Sequence, residues 1–123
     1  MNSSFITITI TIAATVAGQL LTKKGMSLAG PMPADKGSIL VFLLRTMLLN
    51  PYVLAGLLMA VLAAMSWMAT LSKTELSYAY PFMSLAFPLV LLLSSLIFHE
   101  SFSLARWLGI TVIIAGVIIV AKG

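Results

Sequence analysis

The sequence has no cysteine, one histidine and three acidic residues. Without cysteine there can be no disulfide, no thiolate metal site and no thiol nucleophile. His99 is the sole imidazole, and the acids Asp35, Glu75 and Glu100 all fall between apolar runs. A nucleophile, a base and an orienting group cannot be assembled from such a set, so no enzymatic chemistry, cofactor or metal is expected. Charge is scarce altogether: 8% of residues are charged against 61% hydrophobic, and mean hydropathy is +1.14. Seven basic and three acidic side chains cannot cover the surface of a water-soluble domain of 123 residues. The solvent of this chain is therefore lipid. The net charge of +4 would suit nucleic acid in a soluble protein, but here the basic residues gather at the ends of apolar runs, so anchoring to a membrane is expected and a nucleic-acid partner is not.

A membrane-crossing helix needs about 20 mostly apolar residues. Four runs qualify, at about 4–24, 51–72, 75–98 and 104–121. The expected fold is an all-α membrane protein, one domain of four helices running up-down-up-down. The first run follows a start with no basic residue and is longer than the apolar core of a cleaved signal, so it reads as a retained span. Residues 29–37 hold two glycines and two prolines and cannot be helical throughout. Residues 38–50 are apolar but too short to span and carry Arg45. They predict a short helix along the interface before span two, or the first part of a longer kinked helix. The alternation Ile6-Thr7-Ile8-Thr9-Ile10-Thr11-Ile12 has the period of a strand. A lone strand in hydrocarbon would leave its backbone unpaired, so a helix is expected, with hydroxyls bonding back to their own backbone. Ser72-Lys73-Thr74-Glu75 fits a capping box at the start of span three. Lys23, Lys24, Lys36, Arg45 and Arg106 would lie on one side of the membrane, Lys73 and Lys122 on the other. This bias favours both termini outside the cytoplasm.

Thr15, Gln19 and Lys23 recur at helical spacing, beside Gly18 and Thr22, with Lys24 following. A hydroxyl, an amide and ammonium groups graded toward one membrane face suit an anionic headgroup. The plainer alternative is that the lysines snorkel to the interface and Gln19 joins two helices. In span three, Pro81 and Pro88 remove the donors to the carbonyls of Ser77 and Ser84. Such carbonyls need protein, water or substrate, which marks a kink and a candidate cavity wall carrying Tyr80 and Ser84. A kink packed only against neighbouring helices is the alternative. Tyr52, Trp67, Tyr78 and Trp107 fall near the expected interfaces and read as aromatic belts. His99 and Glu100 read as turn residues, Glu100 being placed to pair with Arg106 and to favour the start of span four. Gly109 and Gly116 give that span close-packing positions.

The segments AGQLLTKKG, SYAYPFMSLAFPLVLLLSS, FHESFS and RWLGITVIIAGVIIV, in this order over nearly the whole chain, resemble the drug/metabolite transporter superfamily in its four-span, small multidrug resistance-like (EamA-like) form. Within it the multidrug exporters carry a glutamate one turn before the glycine of span one, where this chain has Thr15. The subunits that flip aminoarabinose-linked undecaprenyl phosphate are more similar: their Gly-Gln-Leu, Ala-Tyr-Pro and His-Glu motifs match Gly18 to Leu20, Ala79 to Pro81, and His99 with Glu100. The resemblance implies a multi-pass protein of the bacterial inner membrane that translocates a polyprenyl-phosphate-linked sugar or a similar anionic lipid. It also implies a homodimer, or a heterodimer with a homologous four-span subunit, joined through Gly109 and Gly116 of span four. Substrate contacts would come from Thr15, Gln19, Lys23, Lys24, Tyr80 and Ser84. The alternatives are a multidrug-type exporter of cations or small metabolites, and a structural subunit of a larger membrane assembly.

Overall fold

The computed structural model describes residues 3–101 and 103–123. Every regular element among them is helical: α1 (Ser3–Ala29), α2 (Lys36–Leu49), α3 (Pro51–Leu71), α4 (Leu76–Phe82), a 3₁₀ turn (Met83–Leu85), α5 (Ala86–Phe98) and α6 (Leu104–Lys122). Four helices are long and apolar enough to cross a membrane, the third being α4, the 3₁₀ turn and α5 taken together. The chain is a multi-pass membrane protein.

Despite its β-like alternation, the isoleucine-threonine stretch is helical, because each of its hydroxyls finds a carbonyl one turn back. Thr7 Oγ1 donates to the Ser3 and Ser4 oxygens at 3.1 Å, Thr9 Oγ1 to Phe5 O at 2.8 Å, and Thr11 Oγ1 to Thr7 O at 2.7 Å. These bonds hide polar groups that lipid could not solvate. Helix α1 continues past Lys23 and Lys24 to Ala29, about 40 Å in all at 1.5 Å per residue.

Helix α1 is also the hub of the bundle. In its most apolar window 33% of residues are buried, against 11% in each of the last two spans, so the later helices turn most of their surface outward. Ile8, Ile12 and Val16 pack with Ala79 and Phe82 of α4 and Val117 of α6. The pairing of α1 with α3 depends on small residues. A Cβ on Gly18 would stand 3.1 Å from Gly56 O, and one on Gly56 would stand 3.0 Å from Gly18 O and 2.5 Å from Thr22 Oγ1. Lipid drives no apolar association, so backbones must approach closely for dispersion to hold two helices together. Near one end of the pair, buried Thr70 Oγ1 donates to Thr7 Oγ1 at 2.7 Å. Near the other, Asn50 Nδ2 donates to Gly25 O at 2.9 Å. The Asn50 Oδ1 meanwhile accepts from the N–H groups of Tyr52 and Val53, capping α3.

Asn50 is extended, at φ −84° and ψ 116°, which separates α2 from α3 and excludes one continuous kinked helix. The capping box expected at residues 72–75 does not form. Ser72 ends α3, its hydroxyl donating to Ala69 O at 2.7 Å, and Glu75 precedes α4 without a side-chain cap bond. Residues 73 and 74 instead brace α1, with Lys73 Nζ donating to Ser3 Oγ and Thr74 Oγ1 to Ser4 Oγ. Span three ends at His99, which is left-handed at φ 57°. In the turn that follows, Phe102 lies outside the described residues. Ser103 caps α6 by accepting from Arg106 N at 3.3 Å.

Candidate functional site

Between α1, α3 and the start of span three lies a cavity of about 390 Å³. From α1 it is lined by Thr11, Thr15, Gly18, Gln19 and Thr22; from α3 by Gly56, three alanines and Trp67; from span three by Tyr80 and Met83. A second groove of about 400 Å³ shares Thr15, Gln19, Tyr80 and Met83 and continues along Ser84 and Val90 to the exposed Phe87. Four of the six expected substrate residues, Thr15, Gln19, Tyr80 and Ser84, therefore meet on one continuous surface. Lys23 and Lys24 are exposed and line neither cavity.

Helical geometry explains that division. At about 100° per residue, Gln19 lies roughly 40° to one side of Thr15 and Thr22 roughly 20° to the other, whereas Lys23 has turned about 80° away. Thr11 and Thr22 thus complete the stripe, and the lysines stand beyond its end. Thr11 was not among the expected residues, although its place one turn before Thr15 signals it. Trp67 carries no such signal: it stands near the end of α3, as a belt residue would, but its ring meets that of Tyr80 edge-on with centroids 6.1 Å apart. Tyr78 likewise packs inward on Phe82 at 5.2 Å. Tyr52 and Trp107 are exposed near the starts of α3 and α6.

Span three bends as its prolines require. The helix tightens to 3₁₀ between Pro81 and Pro88, and the Ala86 N–H reaches the oxygens of Met83 and Ser84. Part of the donor deficit is thereby met inside the chain. The hydroxyls of Thr15, Thr22, Tyr80 and Ser84 and the carboxamide of Gln19 make no hydrogen bond among the described residues. Thr7, Thr9 and Thr11 bond back to their own helix, so the unengaged groups of Thr15 and Thr22 stand out on the same element. Among the described residues, no carboxylate lines either cavity.

The remaining expected residues lie elsewhere. His99 and Glu100 are exposed at the end of span three. The Arg106 guanidinium donates to Ser101 O at 3.4 Å, and Glu100 is not its acceptor. Gly109 and Gly116 are exposed on α6, and a Cβ on either would meet nothing within 4 Å.

The profile of the EamA-like transporter family matches residues 3–122. The chain belongs to the EamA-like transporter family. Among curated proteins it is similar to subunits named as probable 4-amino-4-deoxy-L-arabinose-phosphoundecaprenol flippase subunit ArnE. The protein from Aeromonas hydrophila is 36% identical over 70 residues, 57% of this chain and 61% of that one. The protein from Aeromonas salmonicida is 36% identical over 72 residues, covering 58% and 63%. That from Escherichia fergusonii is 35% identical over 67 residues, covering 54% and 60%. The similarity thus spans about three fifths of these relatives' length. No solved structure matches the chain. For a member of this transporter family, a cavity that carries unengaged polar groups on a mostly apolar wall is the natural candidate site.

Proposed function

We propose that the chain is a subunit of a flippase that carries a polyprenyl-phosphate-linked sugar, or a similar anionic lipid, across the bacterial inner membrane, working as a homodimer or with a homologous four-span partner. The observation that carries this reading is the cavity between α1, α3 and span three, whose amide and hydroxyl groups are unengaged and which contains no carboxylate. A cation exporter needs a negative group in the membrane to hold its guest; an anionic headgroup needs donors. Thr15 stands where such a negative group would be expected. Gln19, Thr15, Thr22 and Tyr80 offer neutral donors at depth, and Lys23 with Lys24 supplies positive charge beyond the cavity's end. The groove running out to Phe87 gives the headgroup a way along the bundle while the isoprenoid tail stays in lipid. The names of the similar proteins support the same substrate class.

The test is reconstitution in liposomes with a short-chain fluorescent polyprenyl-phosphate sugar, following access of an impermeant quencher to each leaflet. Wild type accelerates scrambling. The double variant K23Q/K24Q slows it by roughly tenfold or more, about 1.4 kcal/mol of lost interaction, with insertion and thermal midpoint unchanged. Unimpaired scrambling in that variant removes the lysines from the mechanism.

A further inference from the structure

The cavity is polarised along its length. The Thr7–Thr70 hydrogen bond and the Gly18–Gly56 approach fix the antiparallel register of α1 and α3. Trp67, one turn before Thr70, therefore stands level with Thr11 at one end of the cavity. Thr22 marks the other end, about 16 Å away along α1 by helical rise, and Lys23 and Lys24 lie immediately beyond it. At the Thr11 end the rings of Trp67 and Tyr80 meet with an interplanar angle of 62°. Trp67 is half-buried and Tyr80 exposed, so packing within the protomer leaves aromatic surface uncovered. Around it are donors and acceptors of neutral type only. The acids Asp35, Glu75 and Glu100 are all exposed and outside the cavity.

We propose that the Trp67–Tyr80 end is a sugar subsite and that the sugar it selects is uncharged. This inference rests on the lipid-flipping reading and deepens it. A sugar ring combines apolar C–H faces with a rim of hydroxyls. An aromatic face accepts the former, and the Thr15 and Gln19 side chains pair with the latter. The phosphate then points along α1 toward the lysine end. An amino sugar would bring an ammonium into a membrane-embedded site with no carboxylate to pair it, which is costly at low dielectric, and a nearby ring face offsets only part of that cost. The selectivity is thereby opposite to that suggested by an amino-sugar lipid.

The test uses the W107F chain in nanodiscs, in which Trp67 is the sole tryptophan. Three short-chain polyprenyl phosphates are titrated: one bearing a neutral hexose, one a 4-aminopentose, one bare. The neutral-sugar lipid should change Trp67 emission and bind roughly tenfold more tightly than either of the others. With radiolabelled lipids, W67A should lose this preference and W67F should keep it. Equal affinity for the aminopentose lipid overturns the inference, as does a W67A defect of the same size toward bare lipid. Wild-type binding to none of the three would overturn the flippase reading and this inference with it, whereas equal binding of all three overturns the inference alone.

Discussion

At Gly56 the α1–α3 interface admits a hydrogen and nothing larger. A methyl group there would stand 2.5 Å from Thr22 Oγ1 and 3.0 Å from Gly18 O. The second of these is backbone and cannot swing away. G56V should therefore force the two helices apart at an overpacking cost of about 1–3 kcal/mol, seen as a lowered thermal midpoint in nanodiscs. G109A, whose new methyl meets nothing within 4 Å, should leave the midpoint where it is. G56V would also disturb transport, since Gly56 lines the cavity. Sequence placed Gly18 beside the polar stripe of α1 but was silent on what stands opposite it. Which glycine of another span stands opposite depends on the register between helices, and that register is set by pairs such as Thr7–Thr70 and Gly25–Asn50, far apart along the chain.

Among the elements, the spans themselves were legible because lipid imposes a simple rule: long apolar runs cross, and their backbone must be helical whatever the local side-chain period. The alternating threonines of α1 obey it. The cavity was legible only in part. Thr15, Gln19, Tyr80 and Ser84 could be read from spacing and from the prolines, but counting in fours along α1 carries Lys23 off the face that Thr22 occupies. A turn signature misled at Ser72 and Glu75, where the hydroxyl returned to its own helix instead. Similarly, Trp67 has the position of a belt residue and the azimuth of a cavity wall. Span three holds the element-level prediction. Pro88 removes the N–H that would bond to Ser84 O and so sustains the 3₁₀ turn at Met83–Leu85. P88A allows an α-helical register there, rotating Ser84 relative to the α1 stripe. Its thermal midpoint should be unchanged or higher, because a helical bond is restored, while lipid scrambling in liposomes falls by roughly tenfold. A stable variant that flips at the wild-type rate would show that the bend has no part in transport.

For the whole molecule, the distribution of burial bears on assembly. Helix α1 buries a third of its most apolar window, whereas α6 turns only Ile110 and Val117 fully inward. Gly109 and Gly116 each precede one of those core residues, and so face about 100° away from the core. Ala105, Gly109, Val112 and Gly116 recur at helical spacing and are all exposed. Inside the protomer neither glycine makes room for a neighbouring helix, since a Cβ on either would meet nothing within 4 Å. If four-span subunits pair through α6, a second helix must lie along this strip, where small residues let backbones approach closely. G109L/G116L should then leave the protomer's thermal midpoint unchanged, because the added side chains meet only lipid. The same variant should shift single-molecule photobleaching in nanodiscs from two steps to one and reduce scrambling with it. Two-step bleaching retained in the variant would place the pairing surface on another helix. A lowered midpoint without a change of stoichiometry would mean that α6 packs inside the protomer more tightly than its open glycines indicate.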